Sequence, residues 1–196
     1  MDKTIKIVLI ISGSLLLVCV CGAAILSITG IWSVAQIVNW ADTNTTEDLY
    51  EVADMANEIA IFTLPDGYSS PYGVHIGEIT FIGFSSPSRN THLLMAQFPN
   101  GTDVDVDEML KQINRYSKDP NSSRYAESTL IEEKPVTIRG QETTLSISEG
   151  TSSDGVLYHS AVADFPGKRG PALVMIAGPV DEWDIEMVEE FIASIQ

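Results

Sequence analysis

Aspartate recurs at positions 103, 105 and 107, and Glu108 closes the run "DVDVDE". Alternating carboxylates of this kind open a calcium loop, because a hard cation collects oxygen ligands from every second residue. Such a loop also needs Gly at its sixth place and Glu at its twelfth, and counting from Asp103 those places hold Glu108 and Asn114. The run therefore reads as anions at the start of a helix, each worth about 0.3–1 kcal/mol against the positive helix end. A second acidic cluster, "DEWDIE", carries Asp181, Glu182, Asp184 and Glu186. Two carboxylates at a suitable separation can cleave a glycosidic bond, but nothing in the sequence selects a pair. Capping of the last helix is the reading here too.

Imidazoles are the next groups with chemistry to offer. His75, His92 and His159 each fall in a strand-like segment, and none has the H-x-x-H or H-E-x-x-H spacing of a metal site. The only cysteines are Cys19 and Cys21, so beyond them there is no thiolate for a structural zinc. No G-x-S-x-G elbow and no G-x-x-x-x-G-K-[ST] loop occurs. These readings imply no catalytic residue, no metal ligand and no cofactor.

Two stretches remain as ligand or partner surfaces. "LPDGYSSPYGVHIG" gathers Asp66, Tyr68, Tyr72 and His75 on a loop stiffened by Pro and Gly, a composition suited to binding. This loop, residues 65–77, carries the alternative function: an envelope hydrolase, or a protein that binds a small ligand or cation. "PGKRGP" places Lys168 and Arg169 at a turn, where they would hold an anion or a partner carboxylate, or simply be solvated.

The elements that position these residues follow from periodicity. "TTEDLYEVADMANEIA" has a Thr start and early acids, with Leu49, Val52, Ala53, Ala56, Ile59 and Ala60 on one predicted helical face. "VHIGEITFIGFSS" and "THLLMAQFP" read as two strands of a hairpin across "SPSRN". A helix is expected over "DVDVDEMLKQINRYSK". Short strands follow at "STLIEE", "PVTI", "ETTLSISE", "LYHSAVADF" and "ALVMIAG", separated by turn residues. Gly178 and Pro179 are expected to end the last strand, and "DEWDIEMVEEFIAS" to form a helix with Trp183, Met187, Val188, Phe191 and Ile195 inward. Helices bracketing hairpin-linked strands give an α+β class: an antiparallel β-sheet covered by helices.

The order of helix, "LPDGY", hairpin, helix, meander, "DFPGKRGPALVMIAGP", Trp183 and "FIASIQ" resembles the PsbP/Mog-type α/β/α sandwich family, in its membrane-anchored prokaryotic branch. The resemblance covers roughly 59–196 and is most specific at its end. It implies a PsbP/Mog-like sandwich and a role in binding or supporting partner proteins, not catalysis. A membrane anchor departs from the photosynthetic members, which are released into a lumen. The strong acidity departs from the Ran-binding member.

The anchor itself is read from the start of the chain. Ile7–Ile28 contains no charged residue, and its 22 residues would span about 33 Å as a helix, against roughly 30 Å of hydrocarbon. Lys3 and Lys6 precede it and no basic residue follows before Arg89, so the N-terminus is placed in the cytoplasm and the rest outside. Trp32 and Trp40 suit the interface. "SVA" at 33–35 offers cleavage after Ala35 as the competing reading, but the apolar run exceeds the roughly 7–15 residues of a signal sequence. The domain organisation is thus 1–40 for the cytoplasmic stub, transmembrane helix and interfacial segment, 41–46 for a linker, and 47–196 for one extracytoplasmic α+β domain. The net charge is −16, and without Asp2, Lys3 and Lys6 the rest holds 26 acidic and 9 basic residues. That surface repels nucleic acid. The expected partners are the bilayer, through Ile7–Ile28, and an envelope protein, at the cell (inner) membrane.

Overall fold

The computed structural model describes residues 45–102, 128–151 and 155–196, which build one eight-stranded antiparallel sheet with the described α-helices on one face. In chain order the elements are β1 (Thr45–Thr46), α1 (Leu49–Ile59), β2 (Tyr72–Ile76), β3 (Ile79–Ser86), β4 (Thr91–Gln97), β5 (Thr129–Ile138), β6 (Gln141–Thr151), β7 (Leu157–Pro166), β8 (Pro171–Pro179) and α2 (Ile185–Ser194). A single 3-10 turn, Val180–Glu182, precedes α2. The sheet order is β1-β2-β3-β4-β8-β7-β6-β5. Two runs of neighbouring strands are therefore sewn together where β4 pairs with β8, His92 opposite Ala177 and Gln97 opposite Ala172. The expected class holds in this form: a mostly antiparallel sheet with a few helices.

Alternation sorts the sheet's residues between two faces. Ile82, Phe84, Leu93, Met95, Leu145, Ile147, Ala161, Val174 and Ile176 pack with Val52 and Ile59 of α1 and with Val188, Phe191 and Ile192 of α2. Both described helices thus cover the same face. Phe81, Ala96, Val162 and Leu173 form a smaller cluster on the other face. The predicted helix over 103–118 lies outside the described residues, as do the transmembrane helix over 7–28, the tryptophan anchors and most of the 41–46 linker. Among the described residues no helix is long and apolar enough to cross a membrane.

Local chemistry explains where the structure departs from the expected elements. "VHIGEITFIGFSS" is not one strand but two, β2 and β3, joined by Gly77 and Glu78. Gly77 has φ 61°, the conformation a two-residue hairpin turn asks of its first residue. "STLIEE" and "PVTI", expected as two strands, form one, β5. β5 is at the sheet edge and Pro135 pairs there opposite Thr144, a place where a missing N–H is tolerated. α1 buries Val52, Met55, Ala56 and Ile59, while Leu49 stays 62% exposed. Its stripe is rotated from the expected one, because the i, i+3, i+4, i+7 set that starts at Val52 includes Met55. β8 continues through Gly178, which pairs with His159, to Pro179. Gly178 is needed there because a Cβ on it would stand 2.3 Å from Thr91 Cγ2. Asp184 caps α2, its Oδ1 accepting from Met187 N at 3.1 Å, as the acidic cluster leads one to expect.

Candidate functional site

Three places on the fold hold the residues with chemistry, and they are built from different elements. The first is the end of the sheet where the β7–β8 turn meets α1. Lys168 Nζ donates to Asn57 O at 2.8 Å, and Lys168 N donates to Ile59 O at 2.9 Å. These are carbonyls of the last turn of α1, which has no partner of its own for them. Arg169 Nη1 donates to Glu58 Oε2 at 2.5 Å, and Arg169 N donates to Gln97 Oε1 at 3.0 Å. Glu58 also accepts from Thr80 Oγ1 at 3.5 Å, and that hydroxyl lies 3.2 Å from His75 Nδ1. The expected residues His75, Lys168 and Arg169 are thereby brought together. Both cations are engaged in tying the turn to the helix, and Arg169 remains about half exposed.

The second place surrounds His159 of β7. Its Nε2 lies 3.0 Å from Glu149 Oε2 on the neighbouring β6, and its ring meets Trp183 edge-on with centroids 5.5 Å apart. Carboxylate and indole fix the ring from two sides. Among the described residues no group of three or more His, Cys, Asp or Glu side chains is placed to hold a metal ion.

The third place is a groove of about 390 Å³ beside α2. One wall is α2 itself, through Asp184, Met187, Glu190, Phe191 and Ser194. These positions fall at i, i+3, i+6, i+7 and i+10, close to one stripe of a helix. The facing wall is the extended stretch with Thr63, Pro65 and Asp66, and Arg89 from the β3–β4 turn completes the lining. Backbone bonds tie the two segments together: Ile61 N donates to Gln196 O at 3.0 Å and Gln196 N to Ile61 O at 2.7 Å. Thr63 N donates to Ser194 Oγ at 3.1 Å. Phe191, 2% exposed, is a core residue beneath the groove, and Pro65 and Met187 supply the apolar part of its lining. Arg89 Nη1 comes only to 3.9 Å from Asp184 Oδ2, a loose and exposed pairing.

The residues of the 65–77 loop are distributed among these places and do not share one pocket. Asp66 lines the groove. Tyr68 turns into the core, 6% exposed, where burial raises its phenol pKa above the usual value and nearby Thr91 and Arg89 oppose the shift. Its Oη and Thr91 Oγ1 are buried close to one another without completing a hydrogen bond of normal geometry. Tyr72 lies on the other sheet face, over Gly83, where a Cβ would come within 2.1 Å of its ring. His75 belongs to the α1 end. Arg89, Asp184 and Glu190 were not singled out together in the sequence as a surface. No local spacing could join them, because they meet only through the β3–β4 turn and the docking of α2.

His92 of β4 gives a testable pH response. Burial alone lowers its pKa, so the folded protein holds the ring neutral below the value of about 6.5 found in an unfolded chain. As pH falls through about 6.5 the unfolded chain takes up the proton first. The contribution of neutral His92 is thus complete above that pH and is lost as the pH drops toward the folded-state value. We expect the urea midpoint of the full chain to fall between pH 7 and pH 5, and to fall less steeply in His92→Gln. Equal slopes in the two proteins would refute this role.

No family model matches this sequence, and no curated protein matches it. Among solved structures the chain is similar to cyanobacterial PsbP (CyanoP) from Synechocystis sp. PCC 6803, a solution structure, with 13% identity over 78% of this chain and 90% of that chain and a TM-score of 0.48.

Proposed function

We propose that this protein is a single-pass, membrane-anchored binding or accessory module that works outside the membrane on an envelope protein. It would be of the PsbP/Mog-type sandwich in its membrane-anchored branch. The observation that carries the binding role is the groove beside α2, lined by Pro65 and Met187 together with Asp66, Arg89, Asp184 and Glu190. Grooves of this kind accept a partner's side chains. The uncharged run Ile7–Ile28 supports the anchor. Exposed apolar side chains add contact area in an acidic surface: Leu49 and Tyr50, 62% and 81% exposed, lie at the start of α1, and Leu130 and Ile131 lie on the edge strand β5.

Chemical cross-linking of intact cells, followed by purification of the full chain and mass spectrometry, tests this reading. One membrane or envelope protein is expected to co-purify in comparable amount. Protease added to cells stripped of their outer barriers is expected to remove residues beyond Trp40 and leave the first residues protected. Recovery of the chain alone after cross-linking would overturn the accessory role. Recovery of the whole chain in the soluble fraction would overturn the anchor.

A further inference from the structure

We infer that the groove beside α2 takes a basic segment of the partner, a lysine or arginine side chain lying along the helix. The inference rests on the binding role proposed above and gives it a surface and a chemistry. Three of the lining residues are carboxylates, Asp66 on one wall and Asp184 and Glu190 on the other, against the single guanidinium of Arg89. The surplus in the groove has the sign of the whole chain, at −16. An acidic peptide or a phosphate would meet repulsion from both walls and from the surrounding surface. A purely apolar segment would strip water from four charged groups and pair none of them.

A lysine side chain satisfies both parts of the lining. Its methylene stem covers Pro65 and Met187, and its ammonium reaches the carboxylates of the two walls. An arginine would do the same with a fork that fits a carboxylate. The groove is not already neutralised from within. Asp184 uses Oδ1 to cap α2, and its other oxygen has only Arg89 at 3.9 Å. No ion pair among the described residues engages Asp66 or Glu190. Lys134, whose partner Glu189 also lies on α2, is committed to Glu189 and Glu132. Long-range attraction would also speed the encounter of an acidic face with a basic one, an effect that salt weakens.

The test uses the full-length chain in zwitterionic detergent and a fluorescent peptide of two lysines and two leucines between glycines, followed by anisotropy. Saturable binding is expected that weakens with salt, and none with glutamate in place of lysine. Asp66→Asn combined with Glu190→Gln is expected to weaken binding about five- to tenfold, the scale of two exposed charge pairs. Glu78→Gln combined with Glu142→Gln, exposed acids in the β2–β3 turn and at the start of β6 and outside the groove lining, should change it less than about twofold. Equal loss in both double variants would mean only a general acidic field and would overturn the groove. So would failure of the parent chain to bind the lysine peptide. A photoreactive side chain at position 190 should capture the partner in cells. Capture from position 142 but not from 190 would keep the binding role and sink the groove, whereas no capture from either would sink the binding role itself.

Discussion

Replacing Gly170 with alanine lowers the unfolding free energy by about 3 kcal/mol or more, although the residue lies at a surface turn. Two costs add at this position. The first is conformational, because Gly170 sits at φ +156°, a backbone region that side-chain-bearing residues avoid. The second is steric and larger. A Cβ on Gly170 would stand 2.2 Å from the carbonyl oxygen of Phe98 and 3.0 Å from Asn100 N. Both are backbone atoms, so no rotamer change relieves the clash, and the turn must lift away. That movement breaks the contacts the turn makes: Lys168 to the end of α1, Arg169 N to Gln97, and Phe98 N to Pro171 O at 2.8 Å.

Gly140 supplies the comparison. It has φ +80° in the β5–β6 turn and nothing within 4 Å of its added Cβ. Gly140→Ala therefore reports the conformational cost alone, about 1 kcal/mol. Urea unfolding of the full chain with both variants separates the two contributions. If Gly170→Ala cost no more than Gly140→Ala, the turn would not lie against Phe98, and the docking of Lys168 and Arg169 on α1 would fall with it.

This turn also shows what kind of information the sequence holds. Its Gly and Pro residues announce a hairpin, and strands β7 and β8 form on either side of it. That Lys168 and Arg169 land on α1, more than a hundred residues earlier, depends on the β4–β8 pairing, which no local pattern encodes. The same division runs through the fold. Apolar, β-branched and aromatic runs between turn residues announce β4, β7 and β8, and the acidic start of the last helix announces its cap. Gly77 and Glu78 hid a hairpin inside an apolar run, because one glycine there was equally compatible with an unbroken strand. Pro135 suggested a break that an edge strand does not need. In the groove, Asp66 was visible on its loop as a binding candidate. Its partners across the gap come from α2 and the β3–β4 turn, so their meeting is a property of the assembled core.

Phe191→Ala should be the most damaging single side-chain truncation on α2, costing about 3–5 kcal/mol. Phe191 is 2% exposed. Its ring meets Phe62 edge-on at 5.5 Å, and Phe62 in turn meets Phe84 of β3 at 6.2 Å. The three rings form a chain from the helix, through the stretch that walls the groove, to the sheet. Removing the first ring therefore loses its transfer free energy and its edge-on contact with Phe62, and it leaves a void under α2 that neighbouring β-strands are too rigid to fill. A domain of this size holds about 5–15 kcal/mol in all, so the variant gives up a large part of the total stability. Phe191→Leu keeps most of the volume and should cost appreciably less, about 1.5 kcal/mol or below. The pair of variants also separates packing from binding. Phe191→Leu should remain folded at nearly full stability with the exposed lining of the groove unchanged, and so bind the lysine peptide about as the parent does. If urea midpoints of the full chain showed Phe191→Ala within about 1 kcal/mol of the parent, α2 would not close the core as described, and a groove built on its inner stripe would have no fixed wall.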